Sequence, residues 1–154
     1  MAVNPNSTVE PNIGFVGLGV MGEPMCLNLA KKTRSKVIGF DLSPDPLKRL
    51  AEEEVARAES LADLAGQCDL IFLSLPDGEA VKSVCFKADG LVAHMKAAST
   101  LVDMSTSPVG LTRELAAQCQ ARHIDFADAP VARTREAAIR GDLSVMVGCD
   151  ETLF

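Results

Sequence analysis

Short apolar runs alternate along this chain with stretches of helical periodicity, and that alternation predicts the fold. Residues 13–16 form an apolar run that ends in glycines, and residues 20–33 carry apolar side chains at helical spacing. Residues 36–40 form a second run. Residues 45–54, with Leu47 and Leu50 among charges, read as an exposed amphipathic helix opened by Ser43-Pro44. A third short strand is expected at residues 55–58, then a brief helix from Ser60, a good N-cap, to Gln67. Residues 69–75 are almost continuously apolar, as befits a central parallel strand covered on both faces, and the run stops at Pro76. A helix over 77–86, a polar connection through Gly90, a buried strand over 100–104 and a helix over 109–122 follow. Residues 124–127, a loop through Pro130, a short helix near 135–139 and a last apolar segment at 143–147 complete the series.

Strands alternating with helices at this spacing predict an α/β fold, a doubly wound parallel sheet with right-handed crossovers. In the common strand order 3-2-1-4-5-6 the ends of the first, fourth and fifth strands converge on one crevice. Gly19 and Gly22, Leu75-Pro76 and Ser105-Thr106 then line it, although they lie far apart in sequence.

The first strand leads into Gly17-Leu18-Gly19-Val20-Met21-Gly22, the spacing G-x-G-x-x-G that opens a dinucleotide-binding Rossmann unit. Gly17 takes the tight turn, Gly19 lets backbone approach a pyrophosphate, and Gly22 lets the helix pack close to the strand. Free N–H groups at the helix start then face the phosphates. The second strand closes with Asp41, at about the 20-residue interval where an acid meets the adenosine ribose. A carboxylate there accepts from the ribose hydroxyls and repels a 2′-phosphate, and no arginine occurs over residues 42–47 to welcome one. The expected cofactor is NAD rather than NADP.

Composition narrows the picture. A chain of 154 residues with 47% hydrophobic content suits one domain with a real core. A net charge of −6 with scattered Lys and Arg argues against a nucleic-acid partner. Cys26, Cys68, Cys85, Cys119 and Cys149 lack metal-ligand spacing and read as reduced cysteines in or near the core. Glu52-Glu53-Glu54 points three ways around a helix and reads as a solvated face, so no metal site is expected. No apolar run reaches the roughly 20 residues of a membrane span. Residues 1–11 read as a mobile leader without signal-peptide character, residues 12–154 as the domain, and the location as cytoplasmic.

Several ordered motifs carry a resemblance: G-F-V-G-L-G-V-M-G-E-P-M from Gly14, Leu75-Pro76, Asp103-Met104-Ser105-Thr106, Asp128-Ala129-Pro130-Val131, and G-D-L-S-V-M-V-G from Gly141. Together they resemble the β-hydroxyacid dehydrogenases, relatives of 3-hydroxyisobutyrate dehydrogenase and tartronate semialdehyde reductase. The resemblance implies hydride transfer between NAD(P) and a small β-hydroxy acid or its aldehyde form. It places cofactor contacts at Val20, Met21, Asp41, Leu75 with its neighbour Pro76, and Thr106, and puts Ser105 near both nicotinamide and substrate. Pro108 stands one residue earlier than in the family's D-x-S-T-x-x-P, which implies a small change at that helix start. After D-A-P-V, where most members have S-G-G, this chain has Ala132-Arg133-Thr134. That is similar to the G-R-T variant of sulfolactaldehyde reductases, in which Arg133 and Thr134 would grip a substrate anion with a planar fork of donors.

The resemblance also places the family's catalytic lysine on a long helix after the cofactor domain. No position here matches it, so this chain is expected to be a fragment with no catalytic residue of its own, lacking a C-terminal all-helical domain and taken from an oligomeric parent. His94 and His123 are expected beside helix ends in solvated or capping roles. A non-catalytic NAD-sensing module is the alternative; an S-adenosylmethionine enzyme of the same fold is disfavoured by the motifs after Thr100.

Overall fold

The structure is a computed structural model that describes residues 10–154, so the first nine residues of the expected leader lie outside the described residues. The chain alternates as its apolar pattern predicts: β1 (Ile13–Val16), α1 (Gly22–Lys32), β2 (Val37–Phe40), α2 (Pro44–Ala51), β3 (Ala56–Arg57), α3 (Leu61–Gln67), β4 (Leu70–Leu73), α4 (Gly78–Phe86), α5 (Leu91–His94), β5 (Thr100–Asp103), α6 (Val109–Ala121) and β6 (Asp125–Asp128). The six strands form one sheet in the order β3-β2-β1-β4-β5-β6, and every neighbouring pair is parallel. This is the Rossmann arrangement, with the order reversing between β1 and β4.

Period-two alternation sends each strand's side chains to two cores. On one face Val16, Ile38, Ile71, Leu73 and Leu101 pack with Leu64 of α3, Val81 and Cys85 of α4, Leu91 of α5 and Leu115 of α6. On the other, Ile13, Phe15 and Val37 pack with Met25 and Cys26 of α1 and Leu47 and Leu50 of α2. Phe15 and Phe72, register partners on β1 and β4, stack with ring centroids 6.0 Å apart. Helix starts are fixed by side chains: Ser60 accepts the Asp63 N–H at 3.0 Å and Asp77 accepts the Ala80 N–H at 2.8 Å. Such caps contribute about 1 kcal/mol each. Cys26, Cys68, Cys85 and Cys119 are buried and unpaired, with burial raising their thiols well above the ordinary value, to about 12 at Cys26.

Three expectations are corrected. The helix expected over 45–54 ends at Ala51, and Glu52, Glu53 and Glu54 form a turn in which the Val55 N–H returns to the Leu50 carbonyl at 3.2 Å. All three glutamates are exposed, and Glu53 pairs with Lys31 at 3.1 Å. The polar connection expected after Phe86 contains α5, one turn that buries Leu91 and Val92. A single turn is too short to show periodicity. Residues 143–147 do not extend the parallel sheet. Instead β7 (Val131–Ala132) and β8 (Ser144–Val145) form an antiparallel ribbon around α7 (Arg135–Arg140). The link between them falls short of the dozen or so residues a parallel crossover needs.

A groove of about 300 Å³ remains on the α1 face of the sheet, lined by Phe15, Met25, Leu29, Phe72, Met104 and Leu143. Ile139, Val145, Met146 and Val147 are exposed nearby in sequence on α7 and the ribbon. Among the described residues no helix is long and apolar enough to cross a membrane.

Candidate functional site

The site is built at the carboxyl end of β1, where the chain must turn into α1 between two neighbouring strands. Gly17 has φ +90°, and a Cβ there would strike the Ser74 carbonyl oxygen, so no other residue fits without backbone movement. The turn is pinned on both sides: the Gly17 N–H donates to the Phe40 carbonyl at 3.0 Å, and the Ser74 N–H donates to the Val16 carbonyl at 2.9 Å. A Cβ on Gly22 would strike the Gly17 carbonyl oxygen, which brings the start of α1 down onto the turn.

Gly19 differs from both. It is exposed, and nothing in the protein lies within 4 Å of where its Cβ would be. The N–H groups of Gly19, Val20 and Met21 have no acceptor among the described residues, while the Gly19 carbonyl already accepts the Glu23 N–H at 3.0 Å. Three unclaimed donors at the positive end of an 11-residue helix, above an open space, suit a pyrophosphate.

Asp41 follows β2 directly. Its Oδ2 accepts the Leu18 N–H at 2.6 Å and its Oδ1 accepts the Ser43 N–H at 2.7 Å, which fixes the carboxylate beside the loop. Each oxygen keeps a further lone pair, so the group can still accept a ribose hydroxyl. Leu18, expected from its motif position among the cofactor-binding residues, sits in this loop. Its N–H is committed to Asp41 and its side chain is buried in the core.

Across the switch point, β4 and β5 bring Leu75 and Ser105 together. The Leu75 N–H donates to Ser105 Oγ at 2.9 Å, and the Met104 N–H donates to the Leu73 carbonyl at 2.9 Å. Ser105 is buried, whereas Pro76, Thr106 and Val20 are exposed. The early Pro108 sits at the N-cap of α6 with φ −59°, an ordinary proline value, and Val109 opens the helix as expected. Beneath this turn lies Asp103, whose part was missed in the sequence because its own partners, Ser105 and Ser107, are local and only the onward bond from Ser105 to Leu75 joins it to another strand. Its register neighbour Asp128 has a carboxyl raised above the usual range by burial and by the charge of Asp103.

The expected substrate loop forms part of the β7–β8 ribbon. Arg133, at φ +92°, turns its guanidinium onto its own ribbon: Nε donates to Ser144 Oγ at 3.0 Å and one terminal nitrogen to Asp142 Oδ2 at 3.0 Å. Its hydrogen bonds thus go to α7 and β8 neighbours rather than to crevice residues. Thr134 is exposed at the start of α7, and its hydroxyl helps hold the Glu136 carboxyl below its ordinary value.

Three of the lysines stand in ion pairs: Lys31 with Glu53, Lys48 with Asp45, and Lys96 with Asp69 at the amino end of β4. His94 closes α5 and His123 follows α6, both exposed, the former with Nε2 at 3.1 Å from the Ala88 carbonyl oxygen.

The profile of the NAD binding domain of 6-phosphogluconate dehydrogenase matches residues 12–154, which is nearly the whole chain. The chain belongs to this family of NAD-binding domains. It is 35% identical to the 2-(hydroxymethyl)glutarate dehydrogenase of Eubacterium barkeri over 92% of this chain and 47% of that protein. It is 32% identical to the 3-sulfolactaldehyde reductase of Escherichia coli over 88% and 45%. Among solved structures, a Mycobacterium tuberculosis 3-hydroxyisobutyrate dehydrogenase with L-serine superposes with a TM-score of 0.85 at 33% identity, covering 94% of this chain and 48% of that one. The chain thus spans about half the length of these relatives, and the half it spans is an NAD-binding domain.

In such a domain Gly19 and Gly22 serve different ends, and substitution separates them. Gly19→Ala is expected to leave the melting temperature nearly unchanged and weaken NAD binding at least tenfold, because its Cβ enters only the space the phosphates need. Gly22→Ala is expected to destabilise the fold by about 1–3 kcal/mol, since its Cβ meets backbone. Calorimetric titration with NAD and thermal unfolding of both variants check this; unchanged NAD affinity in Gly19→Ala would remove the phosphate role of the loop.

Proposed function

We propose that this chain is the cofactor-binding part of an NAD-dependent dehydrogenase or reductase acting on a small β-hydroxy acid or its aldehyde form. The observation that carries the reading is the crevice itself, where unclaimed amides at Gly19, Val20 and Met21 stand beside the fixed carboxylate of Asp41. NAD supplies hydride transfer; this chain's residues hold and orient it. Val20, Met21 and the glycines contact the pyrophosphate, Asp41 the ribose, and Leu75, Pro76 and Thr106 the far end of the cofactor, with Ser105 near nicotinamide and substrate. The names of the relatives support a 3-hydroxyisobutyrate-like or sulfolactaldehyde-like substrate. Nothing in the crevice favours the NAD-sensing alternative.

In this reading the proton exchanged with the substrate oxygen comes from a group outside this chain, as the resemblance implies. The remaining half of such an enzyme, helical by the resemblance, docks over the groove at Phe15, Phe72 and Leu143 and the apolar residues 145–147. Arg133 and Thr134 grip the substrate's anion, which must compete with Asp142 for the guanidinium. Since both side chains of that pair are about half exposed, solvent screening keeps the competition modest.

NAD is expected to bind at least tenfold tighter than NADP, about 1.4 kcal/mol, because a 2′-phosphate beside Asp41 costs at least that in a partly desolvated site. Titration of this chain with both cofactors measures it, and equal affinities would remove Asp41 from the ribose site. In the whole enzyme Arg133→Ala is expected to lower kcat/KM for an anionic aldehyde by roughly tenfold to a hundredfold and leave NAD affinity unchanged. Steady-state kinetics with sulfolactaldehyde, tartronate semialdehyde and 3-hydroxyisobutyrate rank the substrates; no change with any of the three would make the arginine a structural part of its ribbon.

A further inference from the structure

We infer that Asp103 is a positioning residue of the NAD crevice, a buried carboxylate that sets Ser105, and through Ser105 the backbone of Leu75, in the geometry the cofactor meets. The inference rests on NAD binding alone and not on the identity of any substrate.

Asp103 is the last residue of β5 and is fully buried, at 0% exposure. Both of its oxygens are used. Oδ1 accepts the Ser105 N–H at 2.9 Å, and Oδ2 accepts the Ser107 hydroxyl at 2.9 Å. The carboxylate thus bends residues 103–107 around itself and fixes the backbone of Ser105 from below. Ser105, itself only 4% exposed, passes the constraint on, because its Oγ accepts the Leu75 N–H at 2.9 Å, 30 residues away in sequence.

That last bond stands where the ladder between β4 and β5 gives out. The Met104 N–H still pairs with the Leu73 carbonyl, and the Ser74 N–H has turned to the Val16 carbonyl on the other side. The Leu75 N–H is next, and a side chain accepts it in place of a strand. The distance between the two strand ends at the crevice is therefore set by a chain of three contacts, Ser107 to Asp103 to Ser105 to Leu75. Thr106, exposed and adjacent to Ser105, is carried by the same turn.

A carboxylate suits this role because both its oxygens accept and its charge strengthens both bonds, whereas an asparagine amide would hold the Ser105 N–H without charge and would have to reverse the bond to the Ser107 hydroxyl. Its burial is costly. Asp103 lies beside Asp128 across β5 and β6, and the charge of Asp103 together with burial raises the Asp128 carboxyl. Stability alone would be served better by a neutral residue here. Among the described residues the hydrogen-bond partners of this carboxylate are the Ser105 N–H and the Ser107 hydroxyl, the two groups that shape the crevice turn.

The test uses this chain with Asp103→Asn, Ser107→Ala, Ser105→Ala and the double variant Asp103→Asn with Ser105→Ala. NAD affinity is read by calorimetry, the Leu75 amide by nitrogen-15 NMR, and the fold by thermal unfolding. Asp103→Asn is expected to weaken NAD binding fivefold or more and to shift the Leu75 amide, although the two residues have no direct hydrogen bond. Ser107→Ala, which frees one carboxylate oxygen, is expected to do both to a smaller extent, and it decides the matter if Asp103→Asn does not fold. Because Asp103 acts through Ser105, the double variant is expected to lose no more affinity than Ser105→Ala alone. Folded variants that melt earlier yet keep wild-type NAD affinity and an unshifted Leu75 amide would make Asp103 structural only. Fully additive losses would show that it does not act through Ser105. Either result overturns the inference.

Discussion

Everything at the crevice depends on a steric constraint at the end of β1. That strand is flanked on both sides, by β2 and by β4, so the chain leaving it can turn only through the gap between the Phe40 and Ser74 backbones. A residue at φ +90° with no Cβ passes; any side chain meets the Ser74 carbonyl. The same crowding at Gly22 lowers the start of α1 onto the turn. Helix dipole, amides without an acceptor among the described residues and open space at Gly19 then coincide. In the proposed reading an acidic chain, with a net charge of −6, would hold a phosphate-bearing cofactor by backbone geometry rather than by net charge.

Side-chain acceptors complete what the backbone ladder leaves open. Asp41 takes the Leu18 and Ser43 amides and so ties the phosphate loop to the end of β2. Ser105 takes the Leu75 amide and ties β4 to β5. At both places a short polar residue just past a strand end does the work of one more strand residue, while leaving the crevice open. The two sides of the switch point are thereby held by the same device, a side-chain oxygen that accepts a backbone N–H beyond the strand end.

The sheet was legible in the sequence because its signals are local. Apolar runs of strand length, helical spacing and glycines at fixed intervals all act within a few residues, and the strand order is the common one for a sheet that opens on this glycine loop. What was not legible depends on partners distant in the chain. The ribbon at residues 131–145 has apolar runs like any strand, and only its short connection and its neighbours make it antiparallel. Helix α5 shows one turn, too little for a period. Arg133 was legible as a motif position, but its contact with Asp142 and Ser144 is set by how α7 folds back. Asp103 stood within a motif and yet drew no notice, because the bond from Ser105, which it holds, to Leu75 exists only once β4 and β5 lie side by side.

The most direct measurement is a nitrogen-15 NMR titration of this chain with NAD, at a size, 16.3 kDa, where every amide can be followed. The expected result is that the largest shifts fall on Gly19, Val20 and Met21, with smaller ones at Asp41, Leu75 and Thr106, while Lys87 and Arg122 at the opposite ends of α4 and α6 stay still. Shifts centred on Lys87 and Arg122, or none at the glycine loop under saturating NAD, would contradict the assignment of the crevice at the end of β1.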